Sequence, residues 1–196
     1  MALFFEKGCN DTSYADIAAA CGLTRSVVQY YFPKKEAFVQ DLATRYLDAI
    51  VANIEVDAEA PLMTLCVTGL VHYGELLRDA ALRRFYIDLL STPSLVFATV
   101  NHQGKWAAGL LADQPVTGVS LEDQLAVHIL GSYDLIAKGW AEGRNLTAEY
   151  VERACFVPFC LALGYDLESA EAILKDALQE YEERYRETTL SVSHDA

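Results

Sequence analysis

Arg25, Ser26, Gln29 and Tyr30 stand at offsets of 0, 1, 4 and 5, so on a helix they share one face. That face carries a guanidinium, a hydroxyl, a carboxamide and a phenol, and no carboxylate. Such groups suit base edges and phosphate oxygens in the major groove of duplex DNA. Thr24 directly precedes them and can cap the helix, whose first backbone N–H groups favour a phosphate. Lys34 and Lys35 follow just past the same segment, within reach of a nucleic-acid backbone.

A second set of side chains suits a different chemistry. His72, Tyr73, Arg83, Tyr86, Asn101, His102, Trp106, His128, Tyr133 and Trp140 are spread over stretches of helical periodicity. An apolar cavity with a few polar groups is what a small-molecule site needs. Tyr73, Tyr86, His102, Trp106 and Tyr133 are the expected contacts of an apolar or aromatic ligand. Taken singly, each is more often core or surface than ligand contact. His72, His102 and His128 fall on different helices, without metal-ligand spacing, so no metal is expected. No nucleophile elbow, P-loop or glycine-rich cofactor turn is present, so neither an enzyme nor a cofactor is expected.

The elements that must position the first set are two short helices. Ser13 can cap one, with Asp16 in its first turn and Ile17, Ala18 and Cys21 at helical spacing. Gly22 can end it, and Leu23 is expected to plug the corner. The second helix starts at Thr24 and stops at Pro33, with Val28, Tyr31 and Phe32 expected inside. Helix, glycine turn, helix is the shape of a helix-turn-helix. That pattern alone is common in all-α proteins; the chemistry of the exposed face points to DNA.

The stretch resembles the DNA-binding domain of the TetR family of bacterial transcriptional regulators. The matching residues are Phe4, Glu6, Lys7 and Gly8, then Thr12-Ser13, Asp16-Ile17-Ala18, Cys21 through Arg25, Phe32, and Lys35-Glu36. The resemblance implies that Thr24 and Lys35 hold phosphates while Arg25, Ser26, Gln29 and Tyr30 meet the groove. It departs at Gln29, where the family usually places a phosphate-binding tyrosine; Tyr30 is the expected substitute. The family's first helix is longer, and this sequence starts inside it. The resemblance also implies a bacterial, cytoplasmic regulator, most often a repressor, that leaves double-stranded operator DNA when a small effector binds. A second reading keeps only a helical small-molecule-binding protein with an incomplete or vestigial DNA reader.

Composition supports a helical, cored protein. The chain has 196 residues, 53% of them hydrophobic, with net charge −13. Residues 1–50 hold five Lys/Arg against six Asp/Glu, and the rest holds ten against twenty-two. A near-neutral reader on an acidic body repels DNA in general and leaves affinity to a few placed contacts. The five cysteines show no paired spacing, which suits reduced thiols in the cytoplasm. No apolar run is long enough to span a membrane, so no membrane partner is expected.

The expected fold class is all-α, with a helix-turn-helix domain over 1–53 and a helical ligand-binding and dimerisation domain over 54–196. Further helices are predicted over 36–54, 62–78, 81–90, from Ser94 to about 112, 121–142, 147–163 and 168–186. A loop is predicted over 114–120 and a frayed tail from 188. One helix-turn-helix reads half a site, so two copies are needed. Helices 121–142 and 147–163 are the expected homodimer surface, through Leu125, Ile129, Ser132, Ile136, Cys155, Phe156 and Phe159.

Overall fold

A computed structural model of the chain describes residues 2–114 and 118–186. The middle of the predicted 114–120 loop and the predicted tail from 188 lie outside them. The described residues form ten α-helices and no strand: α1 (Ala2–Lys7), α2 (Tyr14–Cys21), α3 (Arg25–Tyr31), α4 (Glu36–Asn53), α5 (Pro61–Arg78), α6 (Ala80–Leu90), α7 (Pro93–Leu110), α8 (Leu121–Ala141), α9 (Ala148–Ala162) and α10 (Leu167–Glu180). A π-helical turn, Tyr181–Tyr185, follows α10. None of these helices is long and apolar enough to cross a membrane.

Side-chain oxygens start most of the helices. Ser13 accepts from the Asp16 amide at 3.2 Å while the Asp16 carboxylate accepts from the Ser13 amide at 2.9 Å, a reciprocal cap. Thr24, Asp79, Ser120, Thr147 and Asp166 cap α3, α6, α8, α9 and α10 by accepting from first-turn amides, without the reciprocal bond. Proline opens α5 and α7, where its missing N–H would have had no helical partner. α7 therefore starts one residue before the predicted Ser94: the chain already turns helical at Pro93. Pro158 lies inside α9 without ending it; it is exposed, so the carbonyl it leaves unpaired can meet water.

α5 is the axis of the body. Thirteen of its eighteen residues are buried, because α4, α6, α7, α9 and α10 all pack on it. A helix covered on every side needs an apolar surface all round. α8 lies between α7 and α9. The predicted helix to 186 loses its α register at Tyr181, and the wider turn keeps both Tyr181 and Tyr185 buried.

That packing buries six of the seven expected dimer residues. Leu125, Ser132, Ile136 and Phe156 have 0% exposure, and Ile129 and Phe159 have 5% and 4%. They pack in the core of their own subunit, and of the six only Phe159 also lines the groove between α8 and α9. Cys155 alone of the seven is half-exposed.

The α1–α3 unit is tied to the body through α6. Asp88 accepts from the Asn10 amide at 3.1 Å and from its carboxamide at 2.8 Å. Arg84 donates to the Glu6 carbonyl, and Phe5 packs on Phe85 with ring centres 5.2 Å apart.

Candidate nucleic-acid interface and effector cavity

The local sequence fixes the α2–α3 turn. Gly22 adopts φ +65°, a left-handed conformation that glycine enters without steric cost, and the Leu23 amide returns to the Ala18 carbonyl at 2.9 Å. Leu23 does not plug the corner; it is 51% exposed. Thr24 then caps α3 by accepting from the Val27 amide at 3.4 Å, with its hydroxyl 3.1 Å from Ser26 Oγ. α3 buries Val28 alone. Tyr31, expected inside, is 71% exposed. The helix ends at Tyr31, and the extended Phe32 swings inward instead, stacking on Phe38 at 3.9 Å while its carbonyl accepts from Tyr14 Oη at 2.8 Å.

Arg25, Ser26, Gln29 and Tyr30 are all exposed, as the face reading requires, and none pairs with a carboxylate. Tyr30 and Tyr31 meet edge to face at 5.3 Å, so two phenols stand together at the end of α3. Lys35 is differently occupied. Its ammonium donates to the Asn10 and Thr12 carbonyls at 3.1 and 3.2 Å, bracing the α1–α2 turn and leaving one N–H for a phosphate. Lys34 beside it is exposed.

The body contains a cavity of about 380 Å³. Its walls come from α4 (Leu47, Asp48, Ile50, Val51), α5 (Leu65, Thr68, Gly69, His72, Tyr73), α7 (His102, Gln103, Lys105, Trp106, Ala107) and α8 (His128, Ile129). Of the five expected ligand contacts, Tyr73, His102 and Trp106 line it. Tyr86 and Tyr133 do not; they stack on each other at 5.9 Å in a buried aromatic cluster with Tyr46 and His72. Asn101 lies outside this wall, and Arg83 stacks over Trp140 at 5.4 Å, also outside it.

Sequence reading missed the contribution of α4. Its stripe Leu42, Tyr46, Ile50 was visible, but Leu47 and Val51, four apart, form a second apolar row beside it. A helix with two adjoining apolar rows has more to cover than one core contact. Gln103 was missed because a lone polar residue in an apolar helix carries no periodic signal.

The electrostatics of the cavity separate its mouth from its interior. At the mouth His102 Nε2 lies 2.7 Å from Asp48 Oδ1, linking α7 to α4. In the interior burial holds the imidazoles neutral, pushing His72 down to about 3 and His128 to about 4. Tyr46 of α4 donates to the buried Glu75 carboxylate at 3.0 Å, a second tie between α4 and α5. Behind Gly69, the Glu152 carboxyl is wholly buried with neither oxygen hydrogen-bonded. Burial pushes its pKa well above the ordinary carboxyl range. Among the described residues no cluster of His, Cys, Asp and Glu could hold a metal ion.

Residues 1–42 match the family described as bacterial regulatory proteins, tetR family. Over 62 residues, 30% of this chain, the sequence is 34% identical to an uncharacterized HTH-type transcriptional regulator, YuxN, of Bacillus subtilis (strain 168). The match spans 21% of that relative's length. Both similarities are confined to part of the chain, and the family match covers the two capped helices and the glycine turn. That N-terminal helix-turn-helix is similar to the DNA-binding part of the tetR family of bacterial regulatory proteins.

Proposed function

We propose that the chain regulates transcription as a homodimer on operator DNA, with residues 1–53 reading DNA and residues 54–196 holding the effector and the partner. The observation that carries this reading is the cavity wall on α4. The helix that runs on from the DNA-facing α3 supplies Leu47, Ile50 and Val51 to the same cavity as α5, α7 and α8. A ligand seated there touches the reader's own support.

Arg25, Gln29 and Tyr30 meet base edges or phosphates in the major groove, with Ser26 beside them and Thr24 on a phosphate. Lys34 takes the free phosphate contact, because Lys35 is partly spent on Asn10 and Thr12. An apolar or aromatic effector moves α4 relative to α5 and α7, and so changes the spacing of the two readers. It can do so only by binding one arrangement more tightly than the other. Release on binding makes the protein a repressor.

The second copy is held by the outer faces of α8 and α9 rather than by their core residues. A groove of about 570 Å³ runs between them, lined by Val127, Gly131, Ala154, Cys155, Pro158 and Ala162 among others. Val127 is 73% exposed and Leu161 44%. The small residues allow close approach of a helix, so two pairs of helices form a two-fold four-helix bundle.

Selection of bound fragments from random duplex DNA tests the reading. Enriched fragments should carry two inverted half-sites, centred about one helical turn apart or a multiple of it. No enrichment, or a single unpaired half-site, contradicts it.

A further inference from the structure

Three buried polar atoms on residues of the cavity wall have no hydrogen-bond partner: His72 Nδ1, Gln103 Oε1 and His128 Nδ1. His72 and His128 are only 3% and 7% exposed. Buried polar atoms without partners are few in native proteins, and here three belong to residues of α5, α7 and α8 that line one cavity.

Two of these atoms belong to one hydrogen-bonded chain. Gln103 Nε2 donates to Tyr133 Oη at 2.8 Å, and Tyr133 Oη lies 3.0 Å from His72 Nε2. With the phenol proton given to His72 Nε2, the imidazole hydrogen sits on Nδ1. The chain then ends in a donor at His72 Nδ1 and an acceptor at Gln103 Oε1. Turning the Gln103 amide over reverses the direction, and the free ends are again one donor and one acceptor.

The chain is also uncharged. Burial keeps His72 neutral and the Tyr133 phenol protonated. The charged lining residues sit elsewhere: Asp48 is bonded to His102 at the mouth, and Lys105 is exposed. The buried acids Glu75 and Glu152 do not line the cavity; Glu152 stands behind Gly69, and Glu75 accepts from Tyr46. A charged ligand would find no counter-ion among the interior lining residues, whereas a neutral one with both a donor and an acceptor matches the two ends of the chain, which are closed to solvent and reach the cavity by a turn of the His72 and Gln103 side chains.

We propose that the effector is an uncharged ring compound bearing a hydroxyl or a similar group that both donates and accepts, selected by His72, Tyr133 and Gln103. The proposal rests on reading this cavity as the effector site. Calorimetry on the full chain with four probes of one ring system tests it: 2-naphthol, naphthalene, 2-naphthoate and 2-naphthylmethylammonium. We expect 2-naphthol to bind about tenfold more tightly than naphthalene and both ions to bind more weakly than 2-naphthol. Tyr133→Phe keeps the ring and removes the hydroxyl, and should bring 2-naphthol and naphthalene to within about twofold of each other while naphthalene binding holds. Gln103→Leu, on a half-buried residue, should do the same if Tyr133→Phe fails to fold.

Equal binding of 2-naphthol and naphthalene to the wild type, or a preference that survives both variants, would overturn the proposal. So would tightest binding of the ammonium, which would make Glu152 the recognising group, or of the carboxylate, or binding of no probe. The regulatory reading fails separately. A protein that prefers 2-naphthol as described but keeps its hold on DNA would contradict the effector role alone. One released from DNA as readily by naphthalene as by 2-naphthol would contradict this selection alone.

Discussion

At the scale of single residues, exposure and pairing decide roles that sequence position leaves open. Arg25 is exposed and unpaired with any acid, so Arg25→Ala should cost about 1–3 kcal/mol of operator affinity and relax specificity at one base position. Lys34→Ala should weaken all duplexes alike and lower the slope of log affinity against log salt by about one. Lys35→Ala should act differently, lowering the melting temperature as well, because its ammonium braces the Asn10–Thr12 turn. Buried titrating groups set the pH profile. The folded protein holds Glu152 protonated well above its ordinary 4.5. That contribution is therefore present in acid and lost as pH rises past 4.5. Urea unfolding should show Glu152→Gln gaining on the wild type between about pH 5 and pH 8. His72 and His128 run the other way. The unfolded chain protonates them near 6.5 while the folded chain resists until about 3 and about 4. Stability from them falls as pH drops below 6.5, and His128→Phe should flatten that limb. The shared exposed face of Arg25, Ser26, Gln29 and Tyr30 was legible from spacing alone, since four polar side chains on one helical face are a local pattern. Glu152 was not legible, because its cost arises from contacts with a helix more than seventy residues away in sequence.

At the scale of elements, α5 and α9 meet with no room to spare. A Cβ on Gly69 would stand 1.8 Å from Glu152 Oε1. Gly69→Ala should cost about 1–3 kcal/mol, and the Glu152→Ala background should recover much of it, a coupling that a double-mutant cycle of urea midpoints measures. Helix boundaries in this chain, the end of α10 excepted, were legible to within a residue or two, because caps and prolines are local signals. Ser120, Thr147, Pro61 and Pro93 each mark a start. Which face of a helix meets which neighbour is not a local property. α8 carries apolar residues on more than one face, and Leu125, Ile129 and Ile136 could serve a partner or the subunit's own core equally well until α7 and α9 are seen to cover them. The same holds for Tyr31 and Phe32, where the end of α3 decides which ring turns in. The α4 wall of the cavity explains why Trp106 is the natural reporter: it lines the cavity, while the other indole, Trp140, packs under Arg83. Ligand binding should change tryptophan emission in the wild type and in Trp140→Phe, and leave it unchanged in Trp106→Phe.

At the scale of the whole molecule, charge and symmetry set how DNA is met. The acidic body, net −13 over the chain, cannot hold DNA by general attraction. Specific binding must come from two readers fixed in register, which is the function assigned to the outer faces of α8 and α9. Sedimentation at micromolar concentration should give twice the 21.7 kDa chain mass. Val127→Glu with Leu161→Glu should reduce it to the chain mass without unfolding, since both residues are exposed in one subunit. The central claim is that the α3 face reads DNA sequence, and a competition titration tests it most directly. The affinity of a selected duplex is measured against that of the same bases shuffled, for wild type and Arg25→Ala, at one fixed salt concentration. The account predicts a preference of about a thousandfold or more for the selected duplex in the wild type. It predicts a fall of about tenfold to a hundredfold in that preference for Arg25→Ala. Equal affinity for the two duplexes, or a preference untouched by Arg25→Ala, would contradict it.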